Sequence, residues 1–290
     1  MYADFNYLVK DNITYTVDML RLKTSITYEQ FELLKFHIGV AYRKIVDNEY
    51  QSCSISEFRF NYHITVEDGE SYWFGYFHNS EIYNSPCSAA NNFAKRNFTI
   101  EFNPNKVKIS GLLKYILSMS TDWTIKSVDI AMDIPVNILD ICGFDKCRKK
   151  DIRIFSCGYD DKTIYMGRTN NRIKIYNKKI EAGLDKDLTR VEISSKLDLN
   201  IRNIMLYIYD VKLPELYLNQ YLYTFADYED KTLLAILYAV QYGYNLNDLT
   251  RRYKDKVKNL LRGNYKIELS NNCCTQIIQR CIVNIFNYLK

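Results

Sequence analysis

The chain of 290 residues is 47% hydrophobic with a formal net charge of +5, enough apolar material for one large packed unit and a smaller one, which excludes global disorder. No window approaches the run of roughly 18 apolar residues that a membrane-spanning helix needs, and the N-terminal MYADFNYLVKDNITY lacks the basic patch and apolar run of a secretory signal. A cytoplasmic protein with no membrane partner is expected, and so small a net charge leaves the placement of the charges to identify partners.

Residues 13–22 (ITYTVDMLRL) are β-branched and apolar enough for a strand. A helix follows over 28–46: Thr27 and Gln30 fit a capping box, and Phe31, Leu34, Ile38, Ala41, Tyr42 and Ile45 share a face. Phe58, Phe60, Tyr62, Ile64 and Val66 alternate and run through Asp68-Gly69 into SYWFGYF, which predicts a hairpin over 56–78. Residues 97–102 (NFTIEF) form a strand closed by Asn103-Pro104-Asn105, and 111–120 a short helix. A strong strand is predicted over 123–134 (WTIKSVDIAMDI), a hairpin from 163–167 and 172–178 across Thr169-Asn170-Asn171, and a further strand over 189–196 (TRVEISSK). With few crossover helices between them, these strands predict an α+β fold on an antiparallel sheet. After residue 200 helical periodicity takes over, at 231–242, 248–261 and 274–289. Pro214 is the only punctuation, so the expected division is a sheet domain over 1–210 and a helical C-terminal segment over 211–290.

The 26 tyrosines follow the Asn-, Ile- and Lys-rich composition, so abundance singles out none of them. None of the eight cysteines forms a CxxC pair, and Cys142, Cys147 and Cys157 match no common zinc spacing. Context does single out Tyr176. In RIKIYNKK the strand period places Ile173 and Ile175 on one face and Arg172, Lys174, Tyr176 and Lys178 on the other. Cations beside a phenol suit attack on a phosphate: Lys174 and Lys178 would stabilise charge on the phosphoryl oxygens and favour the phenolate, while Arg168, Arg172 and Lys179 would extend the surface along DNA. In DIAMD, Asp129 and Asp133 share the face opposite Val128, Ile130, Met132 and Ile134, and in RVEI, Glu192 stands opposite the apolar pair. Such carboxylates on neighbouring strands can hold Mg²⁺ or Mn²⁺. Four residues along a regular strand span about 13 Å, so Asp129 and Asp133 cannot both reach one ion unless the strand bends. By spacing alone, all of this also describes a solvated sheet face. Residues 248–262 carry Arg251, Arg252, Lys254, Lys256, Lys258 and Arg262 against Asp248 and Asp255, opposite Leu249, Tyr253, Val257, Leu260 and Leu261. Joined to 231–242 by the short Tyr242–Asn247 turn, this is either a helix-turn-helix-like reader of duplex DNA or a solvated amphipathic helix.

Taken in order, DIAMD, YMGRTNNRIKIYNKK, TRVEISSK and LLAILYAVQYGYNLNDLTRRYKDKVKNLL resemble the rolling-circle replication initiators of small plasmids of Gram-positive bacteria, the Rep_trans group, which is related in pattern to relaxases of some integrative conjugative elements. The resemblance covers roughly residues 120–265. It implies a metal-dependent nicking enzyme in which Tyr176 forms a covalent bond to the 5′ phosphate, with Asp129, Asp133 and Glu192 at the metal. It also implies a homodimer, origin DNA in duplex and single-stranded form as substrate, recognition through the C-terminal segment by Arg251, Arg252, Lys254 and Lys258, and a host helicase as partner. No tyrosine lies three or four residues from Tyr176 to serve a second transfer, which agrees with a dimer. His37, His63 and His78 form no His-hydrophobic-His metal motif, which turns the expectation toward carboxylates, and His78 is placed to approach the site. There is no GxxxxGK(S/T) loop for ATP. The alternatives are a conjugative relaxase with the same chemistry and a non-catalytic origin-binding protein.

Overall fold

The computed structural model describes residues 7–42, 62–65, 71–76, 97–107, 111–144, 152–156, 161–167, 171–218, 229–241, 246–261 and 266–287. Strands β1 (Tyr7–Lys10), β2 (Ile13–Thr24), β3 (Tyr62–Thr65), β4 (Ser71–Tyr76), β5 (Phe98–Phe102), β6 (Thr124–Ile134), β8 (Ile152–Ser156), β9 (Lys162–Met166), β10 (Arg172–Asn177) and β11 (Thr189–Asn200) form one sheet in the order β3-β4-β5-β2-β6-β11-β10-β9-β8, with β1 folded onto β2. Every strand pair among the described residues is antiparallel. A smaller sheet joins β7 (Ile141–Phe144), β12 (Glu215–Leu218) and β13 (Lys266–Ile267) in the order β13-β12-β7. The fold is therefore α+β, built on a large antiparallel sheet.

Alternation explains which strands lie centrally. Ile13, Tyr15, Val17, Leu20 and Leu22 of β2, Val128, Ile130, Met132 and Ile134 of β6, and Val191 and Ile193 of β11 are all buried on one face. Helices α1 (Tyr28–Tyr42), α2 (Leu112–Ser118) and α6 (Asn271–Asn287) contribute to the same core, α1 through Phe31, Leu34 and Ile38. The expected capping box opens α1: the Thr27 amide donates to Gln30 Oε1 at 2.8 Å, and the Gln30 amide donates to Thr27 Oγ1 at 3.2 Å. Phe31 stacks on Tyr76 of β4 with centroids 4.3 Å apart. The buried Trp123 indole donates to the Leu117 and Ser120 carbonyls at 2.9 and 3.0 Å, fixing α2 to the start of β6.

Two irregularities shape the polar face of the sheet. Along β2 the buried positions step from Val17 to Leu20, because Asp18 is an extra residue between the Val17–Ile130 and Met19–Asp129 pairs. This bulge keeps both halves of β2 facing the core while turning Asp18 onto the polar face. The Asn103-Pro104-Asn105 turn braces it: Asn105 Nδ2 donates to the Val17 carbonyl at 2.8 Å, and Asn103 Nδ2 donates to Asp18 at 3.3 Å. A second slip, at Lys126 of β6, lies between the Arg21–Ser127 and Leu22–Ile125 pairs.

The chain beyond residue 210 is shared between two cores. Helices α4 (Lys231–Gln241) and α5 (Arg251–Leu261) pack with Tyr217 of β12 around Leu233, Leu237, Val240, Leu246 and Val257. Helix α6 instead enters the main core through Cys273, Cys274, Ile277, Ile278, Cys281, Ile282 and Ile285. It is tied there by Gln279 Nε2, which donates to the carbonyls of Ile204, Met205 and Tyr207 at 3.0–3.3 Å, and by the Ser270 amide, which donates to the Tyr15 hydroxyl at 3.1 Å. A cut near residue 210 would therefore strip the sheet of one of its helices rather than release a separate segment. Of the predicted hairpin over 56–78, β3 and β4 are present, and Phe58, Phe60 and Asp68-Gly69 lie outside the described residues.

Because α6 completes the main core, Ile277→Ala should lower the stability of the whole sheet by about 2–5 kcal/mol. In denaturant titration the near-UV signal of the sheet aromatics and the far-UV helix signal should shift together. Two separate transitions would show that α6 unfolds on its own.

Candidate active site

The registers of β9, β10, β11, β6 and β2 bring chemistry-bearing side chains into rows across the polar face. Thr163, Tyr176, Arg190, Asp133 and Thr14 form one row; Tyr165, Lys174, Glu192, Ala131 and Thr16 form the next. Ser194 and Asp129 stand opposite each other in the row beyond. The structure thus gathers Tyr176, Lys174, Glu192, Asp129 and Asp133, which are far apart in sequence, on one face.

Tyr176 is only 6% exposed. Lys174 Nζ lies 3.9 Å from its ring centroid and Lys178 Nζ lies 6.0 Å away, so both expected cations flank it. The Tyr176 hydroxyl and the Glu192 carboxylate on the adjacent strand influence each other's protonation. The expectation that cations favour the phenolate is overturned: burial, followed by the negative charge of Glu192, pushes the phenol pKa up, and the opposing influence of Arg190 is smaller. Tyr176 is therefore protonated at neutral pH. Lys178 also departs from its expected place. The strand ends at Asn177, which caps α3 (Lys178–Ala182) by accepting from the Ile180 amide, and Gly183 closes the helix with a φ of 63°. Lys178 opens this helix and pairs with Glu181, while Lys179 pairs with Asp187 at 3.0 Å. The signature Asn-Lys-Lys-Ile-Glu-Ala-Gly, an N-cap residue followed by a closing glycine, is legible in the sequence.

The three expected carboxylates are not equivalent. Asp133 is held bidentately by Arg190, Nε to Oδ1 at 2.6 Å and Nη2 to Oδ2 at 2.8 Å. Arg190 Nη1 also donates to Asp18 at 3.2 Å. Burial works against the guanidinium charge, but Asp133 and Asp18 outweigh it and raise the Arg190 pKa. Asp133 is thus neutralised within the protein, which removes it from the expected metal ligands. Asp129 and Glu192 keep their negative character at a cost. Burial, offset by the Ser194 hydrogen bond and reinforced by the charge of Glu192, raises Asp129 to about 6. Burial and the charge of Asp18 raise Glu192 against the pull of Lys174 and Arg190. Among the described residues, no three His, Cys, Asp or Glu side chains gather as a closed metal cage. Two half-buried, mutually repelling carboxylates nevertheless fit Mg²⁺ or Mn²⁺, which are commonly held by one or two carboxylates with waters and substrate phosphates completing the shell.

Sequence reasoning missed Asp18 and assigned no role to Arg190. The phase slip after Val17 in ITYTVDMLRL was the available signal for Asp18. Beside this cluster, Arg21 pairs with Glu101, Lys23 pairs with Asp198, and burial with neighbouring Arg21 and Lys23 lowers Lys126 to about 8. Arg168, His78, Cys147 and Cys157 lie outside the described residues.

On α5, Arg251 and Arg252 are exposed, Arg251 with 97% of its side chain accessible, and Lys254 is half-buried. Lys258 is not available as expected, because it lies 3.0 Å from the buried Glu215 of β12 and fixes α5 to the small sheet. Lys256 holds Asp230, at the start of α4, at 2.8 Å. No described helix is long and apolar enough to cross a membrane.

No family profile matches the chain. A curated protein of Staphylococcus aureus described as a replication initiation protein is 34% identical over 122 residues, a match that takes in 38% of this chain and 39% of that protein's length. A solved structure of a rolling circle replication initiator protein from Geobacillus stearothermophilus aligns over 94% of this chain and 96% of that one, at 13% identity and a TM-score of 0.35, too loose a likeness to bear on fold or function.

The protonation of Asp129 gives a pH test. The folded state keeps the proton up to about 6, whereas an unfolded aspartate loses it near 4. The stability associated with the protonated form is thus complete below about pH 4 and is lost as pH rises through about 6. Asp129→Asn escapes that loss, so its stability relative to the unsubstituted protein should climb across this window by at most about 3 kcal/mol. Equal differences at the two ends, measured by urea unfolding, would refute burial of the carboxylate.

Proposed function

We propose that this chain is a rolling-circle replication initiator that nicks one strand of origin DNA through Tyr176. The observation that carries the reading is a buried tyrosine in the middle of a polar sheet face, with Lys174 3.9 Å from its ring and Arg190 and Glu192 on the next strand. The partial likeness to the staphylococcal replication initiation protein supports it.

In this reading Tyr176 Oη attacks the scissile phosphorus, a 5′ phosphotyrosine bond forms, and the 3′ oxygen leaves with a proton; the reverse reaction rejoins the strand. Glu192, on the strand next to Tyr176, takes the phenolic proton as the bond forms. Arg190, opposite Tyr176 and held by Asp133 and Asp18, favours the phenolate in the transition state, and Lys174 stabilises charge on the phosphoryl oxygens. Asp129 and Glu192 would hold Mg²⁺ or Mn²⁺, which supplies charge neutralisation at the phosphate when bound. Arg172 and Lys179 extend the interaction with the DNA backbone. After the first transfer Tyr176 is consumed, so a homodimer offering a second Tyr176 completes the round, and a host helicase supplies unwinding.

Tyr176→Phe should fold and bind origin DNA yet form no covalent adduct with end-labelled DNA on denaturing gels. An adduct that persists, or that maps by mass spectrometry to a different tyrosine, defeats the assignment and favours a non-catalytic origin binder or another nucleophile. Cleavage undiminished in chelator removes the cation from the mechanism.

Exposed Arg251 and Arg252, with Lys254, are proposed to meet duplex phosphates. Neutralising all three should weaken duplex binding and reduce the slope of log affinity against log salt by up to about 3, close to 1 for each phosphate that no longer has a cation. An unchanged slope would move duplex recognition off α5.

A further inference from the structure

The far edge of the sheet carries two aromatic rings on the same face as Tyr176. Phe155 of β8 is opposite Thr163, which is opposite Tyr176; Arg153 is opposite Tyr165, which is opposite Lys174. Phe155 is 54% exposed although large and apolar. Its ring meets that of Tyr165 edge-to-face, with centroids 5.7 Å apart, and the Arg172 guanidinium lies 5.5 Å from the Tyr165 centroid. Arg153, Arg172 and Lys174 surround the rings on that face, and Arg153 and Arg172 are exposed. Two strand spacings, about 10 Å, separate Phe155 from Tyr176 across the sheet.

An aromatic pair with one ring exposed and the other half-buried, flanked by cations, does not suit the phosphate walls of a duplex, whose bases are stacked inside. It suits an unpaired strand, whose bases offer π-faces to aromatic side chains while cations follow its phosphates. We propose that Phe155 and Tyr165 form a base-stacking subsite for the single-stranded segment flanking the phosphate that Tyr176 attacks, with Arg153 and Arg172 on its backbone. This rests on the nicking role of Tyr176. It adds that the register of the cut is set by stacking rather than by base-edge hydrogen bonds.

The test uses the full chain carrying Tyr176→Phe, so that binding is measured without cleavage, and follows the anisotropy of a short labelled poly(dT) strand and of an origin duplex. Phe155→Ala should weaken single-strand binding about 5- to 100-fold, the range expected for loss of one stacked base, and leave duplex binding unchanged. Phe155→Trp and Tyr165→Phe should retain affinity, because each preserves a ring. Equal poly(dT) affinity with and without Phe155, equal losses on both DNAs, or a loss in Tyr165→Phe matching that in Phe155→Ala would each overturn the subsite. Adduct formation by the chain with Tyr176 intact is scored separately: its absence, with stacking-dependent binding preserved, defeats the nicking assignment and leaves the subsite standing.

Discussion

The Arg190 guanidinium is the constraint on which the polar face depends. It sits on β11, grips Asp133 on β6 with two hydrogen bonds and reaches Asp18 on the β2 bulge with a third. These side chains are only 11–23% exposed. Removing the cation would leave two carboxylates facing each other in a poorly solvated place, a far larger penalty than losing a surface pair. One planar group therefore sets the lateral registration of three central strands, and β10 with Tyr176 is registered against the same arginine.

With Arg190 committed to Asp133 and Asp18, the remaining charges on the face are unbalanced. Glu192 and Asp129 repel each other, the Tyr176 phenol is held protonated, and Lys174 leans on an aromatic ring. Burial leaves the two carboxylates and the phenol in a poorer electrostatic state than water would give them. In the proposed reaction a phosphate with an accompanying cation would supply negative charge for Lys174 and positive charge for the carboxylates, a preorganisation of the kind that gives large electrostatic rate effects.

Much of this architecture could be read from the sequence, because strand alternation over 123–134 and 189–196 depends on local pattern alone. The shared face of Tyr176, Lys174, Glu192 and the two aspartates followed from the same parity. What sequence reading missed depended on tertiary partners. Strand β8 has four of its five residues exposed and shows no alternation; it is a strand because β9 pairs with it. Asp133 and Asp129 look alike in DIAMD, and only the position of Arg190 on the next strand separates a neutralised carboxylate from a free one. Lys258 looks like its neighbours on a basic helix, but the buried Glu215 that claims it lies more than forty residues earlier. Burial of Tyr176, with the charge of Glu192, outweighs Arg190, the cation that lowers its pKa, and both of these partners lie on the neighbouring strand β11.

Helix α6 also carries a consequence for synthesis. Strand β2 leaves the ribosome well ahead of α6, yet the face it presents to the core is completed by that helix. Until that helix emerges, a broad apolar sheet surface stays partly uncovered, the condition under which nascent chains engage chaperones or are degraded. Contacts between such distant segments also slow folding, since the loop must close before burial rewards it. A product terminated before α6 would leave that core surface open and be prone to clearance.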